Sequence, residues 1–78
     1  MKFNIIGAGR LGKAIARSLN TLSGVELEAV CSANFQSAKF AIDQIGSGIA
    51  VPDLTQLPFA ELTFITTPDD QITGVAQR

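Results

Sequence analysis

The segment Gly7-Ala8-Gly9-Arg10-Leu11-Gly12 constrains this chain more than any other feature. It is a Gly-x-Gly-x-x-Gly run set between a short apolar stretch, residues 2–6, and a stretch with helical spacing. Gly7 lets the chain turn sharply as it leaves a strand. Gly9 has no side chain, so the backbone there can approach a pyrophosphate. Gly12 lets the following helix pack tightly on a sheet. The amides of Arg10 and Leu11 are then expected at a helix N-terminus, where the first N–H groups and the helix dipole favour an anion. Gly7, Ala8, Gly9, Arg10, Leu11 and Gly12 form a candidate phosphate cradle. The competing reading is a glycine-rich strand-to-helix turn that binds nothing.

The rest of the chain reads as alternating strands and helices. Residues 2–6 suit a strand buried on both faces. Residues 10–22 read as a helix with Leu11, Ile15, Leu19 and Leu22 on one stripe, and with Arg10, Lys13 and Arg17 on a solvated face. Ser23-Gly24 ends it, and residues 25–31 read as a second strand whose Glu26 and Glu28 give its first part a wetter face. Residues 35–45 read as a second helix on Phe35, Ala38, Ile42 and Ile45, with Phe40 off the stripe. Residues 49–51 form a short third strand cut by Pro52. One helical turn is expected in 53–60 and a fourth strand over 62–66. Pro68-Asp69-Asp70 reads as the cap of a last helix through Ile72, Val75 and Ala76. This order predicts an α/β fold, a partial doubly wound parallel sheet of strand order 3-2-1-4 in a three-layer αβα arrangement. The fourth strand, with Leu62, Phe64 and Ile65, is expected at an edge, where bare strands invite association.

Composition narrows the chemistry. Seventy-eight residues supply about one half of a complete dinucleotide fold. Six basic and seven acidic residues, net charge −1, offer no electrostatic case for nucleic acid. No apolar run approaches a membrane span, and Met1-Lys2 leads directly into a strand without a leader pattern, so a cytoplasmic protein is expected. Cys31 is alone and reads as a small buried residue. With no His in the chain, nothing of that kind is present to activate it as a nucleophile. No His, Cys or carboxylate cluster has metal-ligand spacing.

Cofactor choice in such folds turns on the end of the second strand, where an acid normally bonds the adenosine ribose of NAD. Here the segment is Cys31-Ser32-Ala33-Asn34-Phe35-Gln36-Ser37, with no carboxylate. Ser32, Asn34 and Ser37 can donate hydrogen bonds, and the second helix adds its first amides. That favours NADP, with NAD the alternative. Lys39 is the nearest base. Ser32 and Asn34 can equally be turn and N-cap residues.

Three pieces carry a family resemblance: the run from Asn4 to Gly12, Val30-Cys31-Ser32-Ala33-Asn34, and the run from Phe64 through Thr66-Thr67-Pro68-Asp69-Asp70 to Ile72. Together they resemble the N-terminal NAD(P)-binding Rossmann domain of the 6-phosphogluconate dehydrogenase-like superfamily. Within it they look like the branch of pyrroline-5-carboxylate reductase, deazaflavin-dependent NADP oxidoreductases and uncharacterised reductase-related proteins. The resemblance covers essentially residues 1–78 as a single domain. Ser32, Ala33, Asn34 and Ser37 are the cofactor-binding candidates after the second strand, and the resemblance implies that Thr66, Thr67 and Pro68 line the cofactor site along the nicotinamide ribose and pyrophosphate, with Asp69 and Asp70 capping the next helix. Family members continue into a helical domain that binds substrate and often makes the dimer. The resemblance therefore implies that this chain is the N-terminal part of a longer protein, or a homo-oligomer, inactive alone. Two functions stay open. One is the dinucleotide-binding part of an NADP-dependent oxidoreductase acting on a small molecule. The other is a non-catalytic nucleotide-sensing or partner-binding module.

Overall fold

The structure is a computed structural model and describes residues 1–7, 9–66 and 72–77. Its elements are β1 (Lys2–Ile6), α1 (Arg10–Asn20), β2 (Glu26–Cys31), α2 (Phe35–Ile45), β3 (Ile49–Val51), a 3-10 turn (Leu54–Gln56), β4 (Leu62–Thr66) and β5 (Ile72–Gln77). One sheet holds all five strands in the order β3-β2-β1-β4-β5. The first four run parallel in the expected order 3-2-1-4, a partial Rossmann-like α/β fold.

The far edge departs from expectation. Residues 72–77 form a strand antiparallel to β4, with Phe64 opposite Val75 and Ile65 opposite Gly74, instead of the last part of a helix. Ile72, Val75 and Ala76 fit a helical spacing, but Ile72, Thr73 and Val75 are β-branched and favour a pleated strand. The unpaired backbone groups along β4 supply the template. With β5 in place β4 is no longer an edge, so the association argument built on its exposure lapses. The proposed cap at Asp69 and Asp70 lies outside the described residues.

β1 is the centre of the core. Phe3, Asn4 and Ile5 are each no more than 1% exposed. Phe3 and Ile5 face both helices and cluster with Ala16, Leu27, Val30 and Ala38. Phe3 meets Phe64 edge-to-face, with ring centroids 6.1 Å apart at 82°. Full burial of each large side chain contributes about 1.5–3 kcal/mol. α1 and α2 therefore share one face of the sheet. The opposite face carries Asn4, whose Nδ2 donates to the Pro58 carbonyl at 2.8 Å. A second cluster forms from Ala29, Cys31 and Val51 with Leu57 against them. A register shift opposite Phe3 and Asn4 puts Leu27 and Val30 in the first cluster and Ala29 and Cys31 in the second, while Glu26 is exposed and Glu28 pairs with Lys2 at 3.2 Å.

Small residues set the approach of α1. Gly12 and Ala16 are its buried positions, and Leu11, Ile15 and Leu19 flank them half-buried. The helix stops at Asn20, short of Leu22, which is 53% exposed. Asn20 accepts from the Leu27 amide at 3.1 Å and donates to Ser47 Oγ at 2.7 Å, tying the helix end to β2 and to the turn before β3. α2 spans the expected residues, capped by Asn34 at one end and Gly46 at the other.

Candidate functional site

In a parallel sheet the loops after the strands open on the same edge. Here those of β1, β2, β3 and β4 surround one cavity of about 730 Å³. β1 contributes Ile6, Gly7 and Gly9. β2 and the start of α2 contribute Cys31, Ser32, Ala33, Asn34 and Ser37. β3 contributes Pro52, Asp53 and Leu54, and β4 contributes Thr66. The volume falls within the range of small-molecule and cofactor pockets. Its position is the crevice where open α/β sheets bind ligands.

Gly7 makes the turn out of β1 with φ of +105°. Its amide donates to the Cys31 carbonyl at 2.6 Å. A Cβ at Gly7 would lie 2.5 Å from Thr66 Oγ1 and 2.7 Å from the Thr66 carbonyl oxygen, so no side chain fits. Gly9 follows in the extended N-cap position of α1. It brings no side-chain cap, and the first turn of α1 holds no acidic residue. A helix N-terminus without a carboxylate keeps its positive pole for another anion. Gly12 is buried behind the turn, where a Cβ would come within 2.9 Å of the Gly7 carbonyl oxygen. That close approach draws α1 against β1.

At the end of β2 the polar side chains also shape the loop. Ser32 Oγ donates to the Asn34 carbonyl at 2.6 Å, and Asn34 Oδ1 accepts from the Gln36 amide at 2.8 Å. Lys39 turns to its own helix, with Nζ 5.7 Å from the Phe35 ring centroid. Burial chiefly, and the Asp53 charge second, push the Cys31 thiol above its ordinary range. A thiol held protonated is a poor nucleophile. Its carbonyl, as the acceptor for Gly7, is the part of Cys31 that shapes the site.

Of the residues singled out by the sequence, the structure gathers Gly7, Gly9, Ser32, Ala33, Asn34, Ser37 and Thr66 around the cavity. Gly12 is buried against Gly7, and Leu11 is half-buried on α1. Arg10 lines a separate groove of about 320 Å³ with Lys13, Ala14, Arg17 and Gln44. There Lys13 Nζ donates to Gln44 Oε1 at 3.0 Å and lies 5.3 Å from the Phe40 ring centroid, which gives the off-stripe Phe40 a contact. Ala8, Thr67 and Pro68 lie outside the described residues. Sequence reasoning missed Ile6, Pro52, Asp53 and Leu54, and took Cys31 only for a core residue. The missed signal was topological: the end of β3 opens on the same edge as the end of β2. Asp53 accepts from the Thr55 amide at 2.9 Å and from the Thr55 hydroxyl, which fixes its carboxylate as the cap of the 3-10 turn. Among the described residues no three His, Cys, Asp or Glu side chains are grouped to hold a metal ion, and no helix is long and apolar enough to cross a membrane.

No protein-family model matches the chain, and no curated protein does. Solved structures do. One is myo-inositol dehydrogenase from Lactobacillus casei in complex with NAD(H) and myo-inositol, with a TM-score of 0.72 and 29% identity. That match covers 86% of this chain and 21% of the other. A probable dehydrogenase from Thermotoga maritima superimposes with a TM-score of 0.70 at 20% identity, covering 83% of this chain and 20% of that one. The chain shares a Rossmann-like fold with dehydrogenases and spans about a fifth of their length. The likeness to the pyrroline-5-carboxylate reductase branch rests on the sequence motifs alone.

Proposed function

We propose that this chain is the dinucleotide-binding part of a nicotinamide-dependent oxidoreductase, with NADP preferred to NAD. The observation that carries the reading is the cavity at the strand ends, bordered by Gly7 and by Gly9 at the N-cap of α1. Gly7 and Gly9 would leave room for the pyrophosphate and α1 would face it with its positive end. The loop after β2 would receive the adenosine ribose, and the end of β4 would lie by the nicotinamide ribose and pyrophosphate, with the Thr66 hydroxyl turned inward onto Ile6. The cofactor, when bound, supplies hydride transfer to or from a small substrate, while this chain binds and orients it. Support comes from the Lactobacillus casei enzyme, whose structure holds NAD(H). In this reading the substrate-binding groups belong to a further helical domain or a second copy of the chain. The free thiol of Cys31 suits the reduced cytoplasm.

The NADP preference rests on the absence of an acid in residues 31–37, on the Ser37 hydroxyl and on the N-terminus of α2. Ser32 and Asn34 already serve the loop, so their part is to shape it as well as to donate. Asp53 brings a carboxylate into the cavity from β3, with one oxygen taken by Thr55. A second reading, a nucleotide-sensing or partner-binding module, is favoured by one observation. Among the described residues, the titratable side chains that border the cavity are Cys31 and Asp53, the first held protonated and the second acting as a cap.

Titration calorimetry with NADPH, NADP, NADH and NAD tests both. Binding of a dinucleotide is the expected result, and no heat from any of the four up to about 1 mM sinks the proposal. Ser32→Asp then tests the cofactor choice. A new carboxylate beside a 2′-phosphate is expected to weaken NADPH and spare NADH, shifting their affinity ratio about ten-fold. A ratio that stays put means that the 2′-phosphate is not read at this loop.

A further inference from the structure

We infer that Thr66 is a positioning residue for the pyrophosphate turn and acts through the protein backbone. The inference rests on the dinucleotide reading above. Thr66 borders the cavity at the end of β4, yet its hydroxyl is engaged inside the protein. Oγ1 donates to the Ile6 carbonyl at 3.1 Å, and the residue is 7% exposed. The same oxygen marks both ends of the turn. It lies 2.5 Å from where a Gly7 Cβ would sit and 3.3 Å from where a Gly12 Cβ would sit.

The turn is therefore held from two sides. On one side the Gly7 amide is bonded to the Cys31 carbonyl of β2. On the other, the Thr66 hydroxyl of β4 holds the Ile6 carbonyl and fills the space between the first and third glycines. Gly9 and the opening residues of α1 lie between those two glycines. Their aim at a pyrophosphate is set by how the ends are fixed, since a donor displaced by a fraction of an ångström loses its hydrogen-bond geometry. A hydroxyl is the smallest group that bonds the Ile6 carbonyl and fits beside Gly7. Valine keeps the branched shape and loses the bond. Alanine loses the bond and opens the space. Serine keeps the bond.

The test compares Thr66→Val, Thr66→Ala and Thr66→Ser with the unaltered chain. Each is titrated with NADPH or NADH, whichever binds the unaltered chain more tightly, and with the matching ADP-ribose that lacks nicotinamide. If Thr66 acts through the pyrophosphate turn, valine and alanine weaken both ligands by a similar factor, about ten-fold, and serine returns affinity to within about three-fold. A loss confined to the full dinucleotide overturns the inference, because Thr66 would then touch the nicotinamide side directly. Unchanged affinity for both ligands also overturns it. So does failure of both the valine and the alanine variant to melt cooperatively, which would make the hydroxyl a requirement of the sheet. No binding by the unaltered chain removes the proposed function, and the inference with it. Normal binding with an unmoved ADP-ribose affinity removes the inference alone.

Discussion

Gly7→Ala is expected to destabilise the fold by about 2–6 kcal/mol. Two independent costs add. At φ of +105° an L side chain is strained, which costs about 1–3 kcal/mol. The added methyl also meets Thr66 at 2.5 Å and 2.7 Å, the second contact being to backbone. Overpacking of this kind costs about 1–3 kcal/mol. β1 cannot retreat to relieve it, because it is hydrogen-bonded to β2 and β4 and carries the most buried residues of the core. A domain of this size holds roughly 4–12 kcal/mol in all. The variant should therefore melt more than about 10 °C lower, or not fold. Thermal and urea unfolding followed by circular dichroism read this out. An unchanged midpoint would mean that the turn takes another path.

Gly9→Val is expected to leave the fold largely standing and to weaken dinucleotide binding about 100-fold or more, equivalent to about 2.7 kcal/mol. Gly9 has φ of −78° and ψ of −174°, extended backbone that any residue adopts. Valine is a poor helix N-cap, so a loss of about 1 kcal/mol in stability is expected. The large effect is on the ligand, because a branched side chain at Gly9 stands in the cavity where the backbone must approach the pyrophosphate. Calorimetric titration beside a thermal melt separates the two effects. A folded variant with full affinity would show that the pyrophosphate does not lie against Gly9. The pair of variants divides the glycine run by role: the first glycine shapes the turn, and the second leaves room for what the turn holds.

Much of this was legible in residue order because it is local. A glycine run between an apolar stretch and a helical stripe declares a strand, a tight turn and a helix N-terminus within about twenty residues. Asn34 and Gly46 mark the ends of α2 by side-chain capping and a positive-φ stop, both of which act within one helical turn. The parallel order 3-2-1-4 follows from right-handed crossovers once the elements are in sequence. The glycine turn and the β2 loop fell on the cavity for the same reason, since each directly follows a strand whose direction was already known.

Tertiary structure decided the rest. Residues 72–77 have spacing that suits a helix and β-branched content that suits a strand. The choice went to antiparallel pairing with β4, whose backbone groups it satisfies, and that pairing is not contained in the propensities of residues 72–77 taken by themselves. Asp53 stands in sequence at the start of the stretch in which one helical turn is expected. Only the neighbouring placement of β2 and β3 brings it to the cavity of Ser32 and Asn34 and sets its charge on Cys31. Thr66 reads as the last residue of a strand, and only the packing of β4 against β1 turns its hydroxyl onto Ile6 and the two glycines. Sequence by itself determined what the backbone does over a few residues, because propensity, capping and φ preference act at that range. Which strand ends meet, and so which side chains share a cavity, was determined by the assembled sheet.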